Sequence, residues 1–320
     1  MCANAISSAA RINVSAESIK QTRATVAVIT RTKNRDLLLR RAVSSVLNQT
    51  YADWHHVVVN DGGDNACIDR LMAENNACYQ GRFTVIHNEE SLGMEAASNV
   101  GILASASKYV VIHDDDDSWE PNFLQRCVEE YEKCAFPSVK GVVSHTTQIV
   151  EKVNGNEITE ERRQNFTPGL TAVSLPQITE INRFMPIAFL FERSVLDDVG
   201  MFDESLPVIG DWEFNIRFFM RYDVIILTEN LANYHVRPDS RNEFGNTVTV
   251  SQDKHQFYRA LIVNKHMRAD IEDGRLTRGQ LLALGEYFHH ISWNLARVGS
   301  LLDKLKKLRF INGIRKKLGL

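Results

Sequence analysis

Residues 109–119 read YVVIHDDDDSW, a short apolar run followed by four consecutive aspartates. The apolar run predicts a buried strand that ends where the acidic residues begin. Adjacent carboxylates repel one another and raise one another's pKa values, and a divalent cation would relieve that repulsion. Asp114 and Asp116 point to one side of an extended chain and Asp115 and Asp117 to the other, so the pattern predicts that one of these two pairs faces a bound ligand. The alternative is a solvated acidic loop.

The region upstream of this run alternates between strand-like and helix-like patterns. Each apolar run is rich in β-branched residues, and the segments between them have apolar residues at helical spacing. This alternation predicts an α/β fold, a mostly parallel sheet flanked by helices, which binds ligands at the carboxyl ends of its strands. The predicted strands are Thr25–Thr30, Val57–Val59, Phe83–Ile86 and Tyr109–Ile112, and the predicted helices lie at 37–47, 99–106 and 121–133.

The alternation weakens after residue 140, and the chain reads as wholly helical from about residue 251. We therefore predict an N-terminal extension at 1–23, a main domain at 24–250 and a C-terminal helical region at 251–320. Within the main domain, further strands are predicted at 141–150, 187–191 and 224–227, a helix at 211–222, and a polar loop at 154–176.

The composition excludes several classes of protein. The net charge of −3 gives no general affinity for nucleic acid, and no run approaches the roughly 20 apolar residues that a membrane helix needs. None of the five cysteines lies in a C-x-x-C pair, which argues against a disulfide framework and a zinc site. With a polar N-terminus that lacks a signal-peptide pattern, we expect a cytoplasmic protein.

The last twenty residues, LLDKLKKLRFINGIRKKLGL, carry seven basic residues and one acidic residue, a net charge of +6. Their apolar residues follow helical spacing, which predicts a basic amphipathic helix. Such a helix either lies on the inner, anionic face of a membrane or packs on the protein with a solvated basic face. The sequence does not determine the oligomeric state.

Two shorter motifs also follow or precede predicted elements. Residues 60–63, Asn-Asp-Gly-Gly, close the second strand, where Asp61 would accept hydrogen bonds from a nucleoside; the alternative is a simple turn. Asp211 and Trp212 open a predicted helix. Asp211 would act as a general base near the metal, or alternatively only as the cap of that helix.

Taken together, these segments resemble family 2 glycosyltransferases of the GT-A fold. The resemblance runs from about residue 24 to 241 and is carried by four stretches in order. These are TVAVITRTKNRDLLLRRAVSSVLNQTYADW, VVVNDGG, SLGMEAASNVGILASASKYVVIHDDDDSWEP and FMPIAFLFERSVLDDVGMFDESLPVIGDWEFNIRF. The chain departs from the family pattern at Ser98, where arginine is usual, at Asn60, and in the order of His235 and Arg237.

The resemblance implies an inverting transfer of sugar from a nucleotide diphosphate donor, most often a UDP-sugar, to a hydroxyl of a glycan or glycolipid in bacterial surface polysaccharide synthesis. It implies a Mn²⁺ or Mg²⁺ cofactor bound by Asp116 and Asp114, and Asp211 as the catalytic base. Trp212, His235 and Arg237 would contact the acceptor or the diphosphate. The implied nucleotide-binding residues are Thr30, Arg31, Thr32, Asp61, Asn99, Asp114 and Asp115.

Two other functions remain open at this point. A protein that kept the fold and lost its activity would bind a nucleotide-sugar or a glycan without transferring it. A phosphohydrolase would use Asp114 as a nucleophile in a D-x-D-x-S loop, although such loops usually follow the first strand of a domain. Neither G-x-x-x-x-G-K-[ST] nor G-x-G-x-x-G occurs in the chain.

Overall fold

The computed structural model describes residues 24–155, 157–240, 244–246 and 252–318, without the side chains of Gln252 and of residues 303–318. The predicted N-terminal extension at 1–23 lies outside the described residues. The chain divides into two compact units after Tyr258. The division falls inside a helix, whereas the sequence placed the boundary at residue 250.

The described part of the first unit contains one nine-stranded sheet and seven α-helices. The strands are β1 (Val26–Thr32), β2 (Trp54–Asp61), β3 (Phe83–Asn88), β4 (Tyr109–Ile112), β5 (Ser118–Trp119), β6 (Val139–Asn154), β7 (Glu157–Asn165), β8 (Phe189–Glu192) and β9 (Asp223–Val236). The helices are α1 (Asp36–Leu47), α2 (Asn65–Tyr79), α3 (Met94–Leu103), α4 (Phe123–Lys133), α5 (Leu175–Glu180), α6 (Val195–Val199) and α7 (Gly210–Phe219).

The sheet order is β3-β2-β1-β4-β8-β6-β9-β5, and β7 pairs with β6. The first four strands are parallel, as predicted, and β1 lies beside β4 with Ile29 opposite Ile112. β8 is antiparallel to both of its neighbours, β4 and β6, so the second half of the sheet is mixed. The carboxyl ends of β1, β2 and β4 therefore meet at one edge, where the polar motifs are found.

The central strands are buried because helices cover both faces of this part of the sheet. Every residue of β4 is buried, and α3 packs closely on β1. Gly101 permits this approach, since a Cβ atom there would lie 2.4 Å from Cγ2 of Ile29. The core thus holds the polar ends of β1 and β4 in a fixed relation.

The predicted loop at 154–176 is wrong over its first half. Residues Glu157–Asn165 form β7, which pairs antiparallel with β6. The sequence of β7, EITEERRQN, has a single apolar residue and is almost wholly exposed. Its backbone bonds to β6 create the strand, so hydrophobic alternation could not predict it.

The described part of the second unit is helical, as predicted, with α8 (Gln252–Glu272) crossing the division and α9 (Arg278–Leu318) following it. None of the helices in the described residues combines the length and the apolar character that a membrane span requires. Most side chains of the basic segment 301–320 lie outside the described residues, so its predicted amphipathic face remains a prediction.

Candidate active site

The carboxyl ends of β1 and β4 bring four of the predicted residues together. Arg31 forms an ion pair with Asp114 at 2.8 Å. The Thr32 hydroxyl donates a hydrogen bond of 2.7 Å to Oδ2 of Asp115. These contacts follow from the parallel pairing of β1 with β4, because adjacent strands that end at the same level bring their following residues side by side.

The four aspartates are compensated by arginines from distant parts of the chain. Arg35 contacts Asp115 at 2.9 Å and Asp116 at 3.5 Å. Arg237 pairs with the Asp116 carboxylate, and Arg41 donates to the Asp116 carbonyl oxygen. Cationic side chains therefore supply part of the opposite charge that this acidic run needs, and the predicted metal ion stays a prediction.

A buried carboxylate that the sequence analysis missed organises these arginines. Glu151 on β6 accepts hydrogen bonds from Arg41 at 2.8 Å and from Arg237 at 2.6 Å, and it contacts His235 at 2.9 Å. Burial would raise the pKa of Glu151, but His235 and Arg41 lower it to about 2. Glu151 lies on a strand with no motif, so only its contacts reveal it.

His235 and Arg237 lie inside this network and not on an open surface. Arg237 has no exposed surface, and the second ring nitrogen of His235 contacts the Ser118 hydroxyl at 2.9 Å. Burial lowers the pKa of His235, although Glu151 opposes the shift. Both residues contact the acidic run from within the protein. Their predicted contact with the acceptor or the diphosphate stays a prediction.

Burial shifts the pKa values of three of the four aspartates upward. It raises the pKa of Asp114 against the opposing effect of Arg31, and it raises the pKa of Asp115 to about 6. Asp117 accepts a hydrogen bond of 2.8 Å from the backbone N–H of His235. Burial, with Asp116 and Asp114 nearby, raises the pKa of Asp117 well above its usual range.

Oxygen donors for a divalent cation exist here only in part. Among the described side chains, no group of three or more metal-binding residues is assembled. Asp114 and Asp116 are hard oxygen ligands, and Mg²⁺ is often held by one or two carboxylates together with substrate phosphates. These carboxylate oxygens are therefore the right type of ligand for a divalent cation. A bound diphosphate would have to supply the remaining ligands.

Asp211 begins α7 beside this cluster. Its Oδ2 atom accepts a hydrogen bond of 2.7 Å from the Asn182 amide, whose own oxygen accepts from Asn215 at 3.0 Å. Burial raises the pKa of Asp211, while Arg31 lowers it. The preceding Ile209 is in the left-handed region with φ of 57°, a conformation that costs of order 1–3 kcal/mol and that occurs frequently at active sites.

Glu95 is a second residue that the sequence analysis missed. It lies on α3, is 5% exposed, and packs against the backbone of Gly210, where a Cβ atom would be 2.4 Å from its carboxyl carbon. Burial raises the pKa of Glu95 to about 8, with Arg31 opposing the shift and Asp211 adding to it. Arg31, Asp114, Asp211 and Glu95 therefore form one electrostatically linked group.

Four of the residues predicted to bind the nucleotide or the acceptor make contacts with other parts of the protein. The Thr30 hydroxyl is buried against His56 at 2.9 Å. Asn99 joins α3 to the backbone of Phe202. The buried Trp212 donates from Nε1 to the Ile178 carbonyl at 2.7 Å. Its predicted contact with the acceptor or the diphosphate stays a prediction.

Asp61, the fourth of these residues, binds the loop that leads into α3. Its carboxylate accepts hydrogen bonds from the backbone N–H groups of Leu92 and Gly93 and from the side chains of Asn88 and Ser91, all at 2.8–3.0 Å. A nucleoside base would have to share these contacts. The sequence could not reveal them, because the loop is 27 to 32 residues away.

A sequence model described as glycosyl transferase family 2 matches residues 27–199, more than half of the chain. EpsJ of Bacillus subtilis, described as an uncharacterized glycosyltransferase, is 27% identical over 251 residues, covering 74% of this chain and 68% of that protein. The glycosyltransferase alr2836 of Nostoc, also described as uncharacterized, is 26% identical over 295 residues, covering 85% of each.

Two solved structures show the same type of fold. Residues 1–349 of S. aureus TarS in complex with UDP match with a TM-score of 0.51 and 17% identity over 67% of this chain and 61% of the TarS 1–349 chain. The mannosyltransferase PcManGT of Pyrobaculum calidifontis, in complex with GDP-Man and Mn²⁺, matches with a TM-score of 0.52 and 18% identity over 84% of this chain and 81% of that one. These likenesses confirm the predicted GT-A type of fold.

Proposed function

Because the chain belongs to glycosyl transferase family 2, we propose that it moves a sugar from a nucleotide diphosphate donor to an acceptor hydroxyl with inversion at the anomeric carbon. One observation carries this proposal. Asp211, a half-buried carboxylate held by Asn182, lies in the same electrostatic group as Asp114 and Arg31 at the carboxyl ends of β1 and β4. A base and a phosphate-binding region are thus adjacent.

Asp211 is the proposed general base. Asn182 donates a hydrogen bond to its Oδ2 atom, and the backbone N–H of Trp212 also donates to this carboxylate. These contacts fix the carboxylate, which would accept the proton of an acceptor hydroxyl. The raised pKa makes Asp211 a stronger base than an ordinary aspartate. The acceptor oxygen then forms its bond to the anomeric carbon as the bond to the departing diphosphate breaks.

The acidic run and its arginines form the proposed donor site. Arg31 and Arg35 each hold an aspartate at the carboxyl ends of β1 and β4, and a guanidinium group is well suited to bind phosphate oxygens. Thr32 and Asp115 would contact the nucleoside. Asp114 and Asp116 would hold Mn²⁺ or Mg²⁺, which when bound supplies charge neutralisation for the leaving diphosphate.

The donor base, the sugar and the acceptor are further parts of the proposal. TarS in complex with UDP and PcManGT in complex with GDP-Man have the same fold type, so UDP and GDP are the first donors to test. A glycan or glycolipid acceptor in surface polysaccharide synthesis, and a location at the cytoplasmic face of the membrane, follow only from the family resemblance and the basic C-terminal segment.

Calorimetric titration with UDP, GDP, dTDP and CDP, each with and without Mn²⁺, tests the donor site. We expect one nucleotide to bind tightly only with Mn²⁺, and Asp116→Ala to abolish that binding. If no nucleotide binds under either condition, the donor-site assignment fails.

The matched pair Asp211→Asn and Asp223→Asn tests the base. Asp223 is exposed at the start of β9, at the opposite edge of the sheet. We expect Asp211→Asn to keep donor binding and lose roughly 10²–10⁴-fold in turnover, while Asp223→Asn stays normal. Near-normal turnover of Asp211→Asn would refute the assignment of the base. Donor binding by the unaltered protein without any transfer would instead indicate an inactive nucleotide-sugar-binding protein.

A further inference from the structure

The helix α9 carries a regular apolar seam that nothing in the described part of its unit covers. Every residue from Leu282 to Leu302 is exposed. Isolated helices are marginal in water, and most helical stability in proteins comes from packing of one apolar face. The exposed apolar seam of this 41-residue helix therefore lacks a packing partner in the described part of its unit.

The seam repeats with a period of seven residues. Apolar residues occur at alternating spacings of three and four from Leu281 to Leu305, which fills the a and d positions of four successive heptads. A period of 3.5 is typical of coiled coils. The described seam side chains between these two ends are 44–66% exposed: Leu284, Phe288, Ile291, Leu295, Val298 and Leu302.

We propose that this heptad seam joins copies of the same chain in a coiled coil. The positions that flank the seam carry no charge between residues 281 and 302, with Gly285, Ser292 and Gly299 on one side. Two identical seams can therefore approach without repulsion between like charges. The charged residues of this stretch, Glu286 and Arg297, lie outside the seam. Leucine at most a positions with Ile291 and Val298 at d favours three or four strands over two.

Of the large apolar residues outside the seam, Tyr287 and Leu301 flank it, whereas Leu282 and Trp293 lie elsewhere on the helix. Trp293 lies on the outer side of the helix, and the Arg297 guanidinium covers its ring at 4.6 Å. The basic run begins at Lys304, near the end of the seam, whereas interfacial helices line their polar face with basic residues along the apolar one. The narrow uncharged seam thus fits another copy of itself better than a lipid surface.

The seam can also supply a substantial part of a stable interface. Complete burial of one large aliphatic side chain contributes about 1.5–3 kcal/mol at about 25 cal/mol per Å², which corresponds to roughly 60–120 Å². Because the described seam side chains are already partly covered by their own helix and only 44–66% exposed, eight such positions would bury roughly 200–600 Å² per copy. A standard specific interface buries approximately 800 Å² per partner, and the flanking Tyr287 and Leu301 would add to the area of the seam.

Sedimentation of the full chain under reducing conditions, at roughly 1–100 μM, tests the proposal. We expect a mass that is a multiple of the 36.3 kDa chain. Leu295→Glu should weaken association by at least about 100-fold, because it places a charge in the seam. Leu295→Ile should restore it, and Leu282→Glu, the same type of change at an exposed position outside the seam, should leave it intact.

Three results would overturn the proposal. The first is that the unaltered chain sediments as a monomer over the whole concentration range. The second is that Leu295→Glu remains associated, which would locate the interface elsewhere. The third is that a monomer binds vesicles of phosphatidylglycerol and phosphatidylcholine and that this binding depends on Leu295, which would assign the seam to a lipid surface. Nucleotide binding and far-ultraviolet circular dichroism of each variant verify that it is folded.

Discussion

Replacing Glu95 with glutamine should remove a loss of stability that the protein suffers as the pH rises. Burial raises the pKa of Glu95 to about 8 in the folded protein, against a reference value of 4.5. Because the folded pKa is the higher one, the neutral carboxyl favours the folded state fully below about pH 4.5, and this contribution is lost as the pH rises towards 8. At 1.36 kcal/mol per pKa unit, the loss is about 3 kcal/mol between pH 5 and pH 8.

Urea unfolding of the two proteins at pH 5 and pH 8, followed by tryptophan fluorescence, measures this difference. Trp54, Trp119 and Trp212 are buried in the first unit and report its unfolding. The stability of Glu95→Gln relative to the unaltered protein should rise by about 3 kcal/mol between the two pH values. Glu74→Gln, at an exposed carboxylate on α2, should show no such rise. An equal difference at pH 5 and pH 8 would mean that Glu95 ionises normally in the folded state, and the reasoning would be refuted.

Three further substitutions test the supporting contacts. Glu151→Gln leaves Arg237 buried without a full counter-charge and should cost about 3–5 kcal/mol in urea unfolding at pH 7; a cost below 1 kcal/mol would contradict the proposed network. Gly210→Ala should lower the free energy of unfolding by about 1–3 kcal/mol, because the new Cβ atom would meet the Glu95 carboxyl group. Adding Glu95→Ala should recover part of this loss. Strictly additive costs of the two substitutions would show that the two side chains do not collide. Asp61→Asn should speed hydrogen exchange at Leu92 and Gly93, and unchanged protection would show that the carboxylate does not hold this loop.

The parallel sheet could be predicted because it depends on pattern alone, whereas the strand order that places β1 beside β4 could not. Alternating strand and helix segments predict a parallel sheet, and such a sheet brings the residues after its strands to one edge. Arg31, Thr32, Asp114 and Asp115 accordingly lie together, as the sequence analysis expected. The prediction succeeded where each element carried its own hydrophobic signal.

The compensation of the acidic run could not be predicted in the same way. Arg41 and Arg237 lie 75 and 121 residues away from Asp116, and no local pattern distinguishes them from surface arginines. Glu95 lies before the helix predicted at 99–106, because α3 begins earlier, at Met94. Its unusual environment arises only when α7 packs against α3 at Gly210. Charge pairing across such separations depends on tertiary packing and not on motifs.

The long-range network around Glu151 has a consequence for the order in which the protein matures during synthesis. Arg237 donates to the carbonyl of Phe244, and Arg35 donates to that of Gly245 across 210 residues of chain. A nascent chain that has emerged only through β8 already holds the aspartates and Glu151, but it lacks Arg237 and Asn246. Domains generally fold as units, while contacts of high sequence separation form slowly. The parallel core can therefore collapse early. The proposed donor site is completed only after β9 and the residues that follow it have left the ribosome.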